Sequence, residues 1–454
     1  MKQRSVAKSI RPNSAVTPAR LFAFEILRRV EEGSAFASVL LAARETELEE
    51  HDRALSHELV MGVLRRRLWL DRVIAHYAGR DPECLDLAVR IALWLGLYQL
   101  RFLSRVPASA AVNESVKLVR VARIRSADGL VNAVLRRATR EPDYDPAAEL
   151  TNPLEQTAVR TSHPLWLIER WAKSFGIAET AAFAEANNFT PPVAFRTIHH
   201  RGSEAEVIQA LRAAGTMVSA SRLTPAAWRA TGSTGILRQL AREGAIYLQD
   251  EASQFVARIL GAKEGNYILD VCAAPGSKST HLADLSRDKA LIVAGDIHAH
   301  RLRTLITTAA NQGFRSIHPV NMDGLNQLPF RGAPFDRVLV DAPCTGTGTL
   351  RHNPEIRWRI TAADIKDLST RQVRILLNAA RYVKPGGRLV YSTCSVEPEE
   401  NEQVIVKFLE ETEGFVPSVL SVRADLLTAS GAARIWPHRD DADGFYVAAF
   451  ERHP

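Results

Sequence analysis

Two cysteines directly follow apolar runs that are typical of buried strands, one in Asp341-Ala342-Pro343-Cys344 and one in Tyr391-Ser392-Thr393-Cys394. Because ligands bind at the carboxyl ends of parallel strands, both thiols are expected at one functional edge of a sheet. A thiolate is a strong nucleophile that can add to a carbon atom and later leave it. A free cysteine is also a good small core residue. That alternative fits Cys84, in a helical stretch, better than it fits two thiols at one edge.

A third strand end has the composition of a loop that approaches a ligand closely. It comprises Asp270, Val271, Cys272, Ala273, Ala274, Pro275, Gly276, Ser277 and Lys278. Small residues and a glycine after a buried strand let a ligand reach the backbone. A nucleoside-triphosphate loop is excluded, because Ser277 precedes Lys278 and Val271 stands where that motif needs a glycine. Lys278 is also a candidate for favouring a thiolate, since a free thiol has a pKa of about 8.5.

Aspartates follow the next two predicted strands. Asp296 comes twenty residues after Gly276, where this class of fold places the acid that binds ribose hydroxyls, and Asp323 follows the strand after that. A lone aspartate at a strand end is more often a helix cap. Successive aspartates at neighbouring strand ends instead favour a nucleoside-type cofactor.

The elements that must position these residues alternate between strand and helix from about residue 245. Strands are predicted at 267–271, 290–295, 316–320, 335–340 and 387–392, with helices between them, for example Arg301–Asn311 and Ile365–Tyr382. This alternation predicts a doubly wound, Rossmann-like α/β domain over residues 246–454.

The first part of the chain is predicted to be helical. Thr17 and Pro18 are typical of a helix start, and Leu87–Phe102 keeps one face apolar at helical spacing. We therefore predict an all-α domain over residues 1–140. Residues 141–245 begin with a polar, proline-marked linker and continue as a small α+β module, with strands at 193–198 and 217–219 and a helix at 205–214.

Charge is unevenly distributed along the chain. The formal net charge is +7, and residues 53–140 hold 16 Lys and Arg against 7 Asp and Glu. The arginines concerned include Arg65, Arg66, Arg67, Arg120, Arg123, Arg125, Arg136, Arg137 and Arg140. This excess indicates either a solvated face or a surface for a polyanion such as RNA; the sequence leaves both open.

Several classes of protein are disfavoured. The polar start is unlike a secretory signal, and apolar runs are too interrupted for a membrane helix. The four cysteines form neither a disulfide framework nor a metal-binding Cys-x-x-Cys pair. We expect a cytoplasmic monomer without a metal.

The strand-end motifs, together with Asp443-Gly444-Phe445-Tyr446, resemble the NOL1/NOP2/Sun family of RNA cytosine-C5 methyltransferases over roughly residues 245–450. The segment 129–137 resembles the RNA-binding NusB fold. A NusB-like domain joined to such a catalytic domain is similar to bacterial methyltransferases of 16S ribosomal RNA. Ser277 departs from the family, in which many members carry a second glycine.

The resemblance implies a cofactor, S-adenosylmethionine, and a role for each residue. Cys394 would be the nucleophile that adds to carbon 6 of cytosine, Cys344 would assist release, and Asp341 would contact the target base. Residues 272–278, Asp296, Asp323 and Asp341 would bind the cofactor. The ranking of Cys394 above Cys344 comes only from the resemblance.

Two alternatives stay open. The same chemistry could act on another RNA, such as transfer RNA, or the chain could be a ribosome-assembly or antitermination factor that binds RNA without needing catalysis. A small-molecule methyltransferase is disfavoured by the basic helical domain.

We predict that naked or partly assembled small-subunit ribosomal RNA is a better substrate than the finished subunit. The target base must be unstacked or single-stranded before it can reach a thiol in a protein pocket. Rates of labelled methyl transfer to the two kinds of particle test this, and equal rates would contradict it.

Overall fold

The chain forms two compact units. The computed structural model describes residues 16–33, 35–232 and 235–454, so the predicted start of the first domain lies outside the described residues. One unit runs to Asn188 and includes Asn353–Trp358; the other contains Phe189–His352 and Arg359–Pro454. Within the described residues, no helix has the length and apolar character needed to span a bilayer.

The first unit is helical, as predicted. Its helices are α1 (Pro18–Glu32), α2 (Ala37–Arg44), α3 (Glu50–Ala78), α4 (Leu87–Phe102), α5 (Ala108–Val121), α6 (Asp128–Arg140), α7 (Pro153–Thr161), α8 (Leu165–Phe175) and α9 (Ile177–Ala186). Pro18 takes the first helical position, but the Thr17 side chain makes no capping bond. The predicted bounds of α4 are confirmed because its apolar face, with Leu95 fully buried, packs into the core.

The arginines of the basic stretch divide into two groups. Arg65 is only 5% exposed. The Nη1 atom of Arg66 donates to the carbonyl of Arg160 at 3.1 Å, and Arg67 forms a 3.1 Å ion pair with Glu31. Arg65 is therefore an interior residue, so the prediction of a solvated or polyanion-binding face is wrong for Arg65, whereas Arg66 and Arg67 are half-buried. The exposed group comprises Arg120, Arg123, Arg125, Arg136 and Arg140, whereas Arg137 is half-buried, like Arg66 and Arg67.

A short segment from late in the chain completes the helical unit. The Nη1 atom of Arg357, whose side chain is fully buried, donates to the carbonyls of Thr161 and Ser162 at 3.3 and 3.0 Å. The Glu355 carboxylate accepts a 2.6 Å hydrogen bond from the Ala37 backbone N–H. Such long-range insertion has no signature in local sequence pattern.

The second unit contains two sheets. Its elements are β1 (Val193–Thr197), α10 (Glu204–Ala213), β2 (Met217–Ala220), β3 (Ala227–Thr231), α11 (Gly235–Arg242), β4 (Ile246–Leu248), α12 (Glu251–Leu260), β5 (Tyr267–Asp270), α13 (Ser277–Leu285), β6 (Leu291–Asp296), α14 (Ala299–Gln312), β7 (Ile317–Asn321), β8 (Phe335–Asp341), α15 (Ile356–Arg359, largely in the segment given to the first unit), α16 (Ala362–Ala380), β9 (Val383–Thr393), α17 (Glu402–Glu411), β10 (Phe415–Ser418), β11 (Ala433–Ile435), α18 (Pro437–Asp440) and β12 (Phe445–Arg452).

The larger sheet has the strand order β10-β12-β9-β8-β5-β6-β7, with β11 paired to β12. The five predicted strands are confirmed, and they pair in parallel. Strand order reverses beside β5, which is where doubly wound sheets bind ligands. The prediction missed β10, β11 and β12, which extend the sheet in antiparallel fashion.

The smaller sheet is antiparallel, with the order β2-β3-β1-β4. The predicted strands β1 and β2 are confirmed; β3 and β4 were not predicted. Arg196, 2% exposed, projects from β1, and its Nη2 donates to Thr280 Oγ1 at 2.9 Å and to Gln312 Oε1 at 3.2 Å. Thr280 in turn donates to the carbonyl of Gly276 at 2.8 Å. The small sheet thus supports the loop that ends β5.

Candidate active site

The carboxyl ends of three adjacent parallel strands bring the predicted residues together. In the pairing of β8 with β9, Asp341 lies opposite Ser392, and in the pairing of β5 with β8, Asp270 lies opposite Leu339. Cys344 and Cys394 follow their strands by a few residues, and their sulfur atoms are 3.3 Å apart. Both thiols are half-buried.

The surroundings of the Cys344 thiol shift its pKa. The hydrogen bond to Cys394, together with burial and the nearby Glu400 carboxylate, raises the pKa of the Cys344 thiol well above its usual range. The protonated form of the Cys344 thiol is therefore favoured. Burial likewise raises the pKa of Cys272, with help from Asp270, so this third thiol is not activated. The prediction that Cys84 is a buried core residue is wrong, because its side chain is exposed.

Lys278 connects the ligand loop to the thiols. Its Nζ donates to Asp341 Oδ2 at 2.7 Å, and Ser392 Oγ donates to Asp341 Oδ1 at 2.7 Å. Burial alone would lower the pKa of Lys278, but the Asp341 carboxylate outweighs burial and Cys394 adds to the effect, so this pKa is raised. Lys278 is therefore a buried ammonium within electrostatic reach of Cys394.

The loop after β5 has a tight, specific backbone. Gly276 has φ of +107°, and a Cβ there would lie 2.8 Å from Leu305 Cγ, so glycine is required on both counts. Its N–H donates to the carbonyl of Ala273 at 2.8 Å, which closes the turn around the cis bond between Ala274 and Pro275. Ser277 begins α13 without a positive φ, so the second glycine of the family is not needed there.

The two strand-end aspartates hold the backbone of their own turns. Asp296 is 5% exposed, and its Oδ1 accepts the N–H of His298 at 2.8 Å. Asp323 Oδ1 accepts the N–H of Leu325 at 2.9 Å, and its Oδ2 accepts the Asn326 side-chain amide at 2.7 Å. Each carboxylate oxygen has a further lone pair, so these contacts leave acceptor capacity for ligand hydroxyls.

Two acids at this edge were not singled out from the sequence. Glu400 is fully buried between the two cysteine loops. It lies in the run Glu399-Glu400-Asn401-Glu402, which reads as solvated surface. Asp443 was noted only as part of a motif. Burial and the neighbouring Asp250 raise the pKa of Asp443 well above its usual range, and its side chain lies 3.6 Å from His352 Nε2.

Comparisons with known proteins agree with this geometry. Family models match over three ranges: 16S rRNA methyltransferase RsmB/F at residues 257–451, the NusB family at 17–140, and the ferredoxin-like domain of RsmF/B-like methyltransferases at 163–235. These matches confirm the predicted resemblances to both families.

Full-length relatives are also similar. A probable ribosomal RNA small subunit methyltransferase B of Bacillus subtilis is 31% identical, over 96% of this chain and 99% of that protein. One of Synechocystis is 37% identical over the same shares. The crystal structure of PH0851 superposes with a TM-score of 0.82 at 28% identity, over 97% of this chain and 100% of that one.

Replacement of Asp270 by Asn should remove part of the pH dependence of stability. Burial raises the pKa of Asp270 to about 7, partly offset by a hydrogen bond from Ser279. Its unfolded value is about 3.9, so the protonated carboxyl stabilises the fold below that value, and this contribution is lost as pH rises through about 7. The free energy of unfolding in urea should therefore decline less between about pH 5 and pH 8 for Asp270→Asn than for wild type.

The exposed Asp425, whose pKa is lowered by Arg423, provides the matched control. Asp425→Asn should keep the wild-type decline, because that carboxylate stays ionised throughout this window. If the free energy of unfolding of Asp270→Asn ran parallel to that of wild type over this pH range, Asp270 would be ionised in the folded protein.

Proposed function

Because this chain belongs to the ribosomal RNA small subunit methyltransferase B family, we propose that it transfers a methyl group from S-adenosylmethionine to carbon 5 of a cytosine in 16S ribosomal RNA. The observation that carries the proposal is the 3.3 Å contact between the Cys344 and Cys394 sulfur atoms beside the loop that ends β5. Addition of one thiol and release assisted by the other fit this chemistry.

The residues at the sheet edge fit the cofactor. Carboxylates at Asp296 and Asp323 suit hydroxyl and amine donors of a nucleoside, and Asp270 Oδ1 is buried without a hydrogen-bond partner. Residues 272–278 and Asp341 complete the proposed cofactor contacts. When bound there, S-adenosylmethionine supplies the electrophilic methyl group.

The chain's own residues would activate the base. Carbon 5 of cytosine is a poor nucleophile until the Cys394 thiolate adds to carbon 6. Asp341, held by Lys278 and Ser392, keeps lone pairs that can accept a hydrogen bond from the base. After methylation a base takes up the carbon 5 proton, the electron pair of that bond re-forms the carbon 5–carbon 6 double bond, and the carbon 6–sulfur bond breaks to return the Cys394 thiolate. The 3.3 Å contact between the two sulfur atoms supports a role for Cys344 in that release. The assignment of Cys394 as the nucleophile follows the resemblance to the family.

Other features of the proposal concern the whole chain. We also propose that residues 1–140, 141–245 and 246–454 form three domains and that the first of them binds ribosomal RNA. A monomer in the cytoplasm that needs no metal stays a prediction.

We expect Cys394→Ala to abolish transfer of labelled methyl to small-subunit ribosomal RNA, because no adduct forms. Cys344→Ala should trap a covalent protein–RNA complex, visible on a denaturing gel, because release fails. Cys84→Ala, at an exposed thiol, is the matched control and should behave as wild type. A trapped complex with Cys394→Ala would mean that the roles assigned to the two cysteines are reversed.

Preferential labelling of transfer RNA would favour transfer RNA as the substrate, and no label on any RNA would favour a ribosome-assembly or antitermination factor.

The exposed arginines should carry part of the RNA affinity. Replacing Arg123, Arg125 and Arg140 by Gln removes three cations from the first unit. If each of these three arginines contacts a phosphate, the slope of log Kd against the logarithm of the salt concentration should fall by about 2 to 3. Filter binding to a ribosomal RNA fragment at several salt concentrations measures this.

The matched control changes three exposed arginines of the second unit, Arg287, Arg374 and Arg381, to Gln. It should leave the slope close to wild type. Equal slopes for both triple variants would mean that the first basic surface is only a solvated face.

A further inference from the structure

The side chain of Glu400 lies between the two loops that carry the thiols. It is fully buried, in the short turn that precedes α17. Thr345 directly follows Cys344, and Ser395 directly follows Cys394. Both of these neighbours contact Glu400, so the carboxylate is one residue removed from each thiol.

The carboxylate accepts four hydrogen bonds. Its Oε1 accepts the Thr345 backbone N–H and the Gln372 side-chain amide, both at 2.9 Å. Its Oε2 accepts the hydroxyls of Thr345 and Ser395, both at 2.5 Å. The Gln372 amide also donates to the carbonyl of Pro343 at 2.9 Å. One side chain thus joins the loop after β8, the loop after β9 and α16.

A buried carboxylate is costly unless its acceptor sites are filled. Burial raises the pKa of Glu400, and the hydrogen bonds from Ser395 and Thr345 offset part of that rise. An apolar side chain could fill the same space, but it could not bind donors from two loops at once. The arrangement is therefore suited to holding those loops at a fixed separation.

We propose that Glu400 is a positioning residue that sets the distance between Cys344 and Cys394 by binding the residue after each. The proposal rests on the proposed function for its catalytic consequence, because release requires Cys344 to act on an adduct at Cys394. The length of the side chain matters more than its charge. A shorter carboxylate cannot reach both loops, whereas glutamine offers one acceptor to the N–H donors and an amide that hydroxyl oxygens can accept.

The test compares Glu400→Asp with Glu400→Gln. Because a misplacement of about 1 Å can cost about 100-fold, Glu400→Asp should lower kcat by about 10- to 100-fold. The Kd for S-adenosylmethionine should stay within about twofold, a change of under about 0.5 kcal/mol. Glu400→Gln should keep at least about half of the wild-type kcat, since the positions of the loops are preserved.

Glu402→Asp is the matched control. Glu402 lies two residues along the chain, and its carboxylate binds Arg434 at 2.6 and 2.7 Å instead of the residues that Glu400 binds. We expect a wild-type kcat for this variant, because shortening it leaves the Glu400 hydrogen bonds in place.

A second measurement needs no RNA. Diamide takes up two electrons and the two thiol protons as it joins two nearby thiols in a disulfide, so the rate of linkage between Cys344 and Cys394 reports their separation. Peptide mass mapping follows the linked peptide. The rate should fall in Glu400→Asp and stay close to wild type in Glu400→Gln and Glu402→Asp.

The outcomes separate the two proposals. Wild-type kcat and wild-type disulfide rate in Glu400→Asp would overturn the positioning role. Cofactor affinity that falls in step with kcat would also overturn it, because the damage would then extend beyond the thiols. If wild type itself methylates no RNA, the proposed function fails, and the disulfide rates still decide whether Glu400 positions the cysteines.

Discussion

The parallel register of β8 and β9 is the constraint on which the candidate active site depends. It sets Asp341 opposite Ser392, and from there the chain needs only a few residues on each side to bring two thiols within 3.3 Å. A slip of one residue would turn every side chain of a strand to the opposite face of the sheet. The register also allows the Ser392 hydroxyl to bind Asp341. The thiol contact is thus a consequence of strand pairing, refined by the loops that follow.

The electrostatics at this edge of the sheet depend on several carboxyl groups that lie near the buried ammonium group of Lys278. Asp270 and Asp443 have raised pKa values because they are buried near other carboxylates, whereas Asp341 has Lys278 as its partner. Asp341 is therefore held in an ion pair, whereas burial favours the protonated carboxyl at Asp270 and Asp443 in the same region. Such separation allows one site to hold both a charged pair and proton-bearing groups.

The helical unit shows how the same residue type serves two purposes. Arg65 and Arg357 are buried, and their like charge contributes to lowering the pKa of Arg357 to about 9, after the larger effect of burial. Arg123 and Arg140 are exposed and free to meet solvent or a polyanion. A local excess of arginine therefore combines interior hydrogen bonding with surface charge, and only the exposed fraction is available to RNA.

The sequence by itself determined the elements and the sheet edge at which the candidate site residues lie. Apolar runs fixed the positions of β5 to β9 within a few residues, because burial on both faces demands such runs. Asp270 and Asp341 are the last residues of β5 and β8, and Cys394 directly follows β9. Tertiary structure alone decided which side chains meet. Glu400 lies in an acidic run that resembles surface, Arg65 is buried, and Cys84 is exposed. Local periodicity shows which face of a helix or strand is buried. The burial of Glu400 and Arg65 and the exposure of Cys84 depend instead on residues that are distant in the chain.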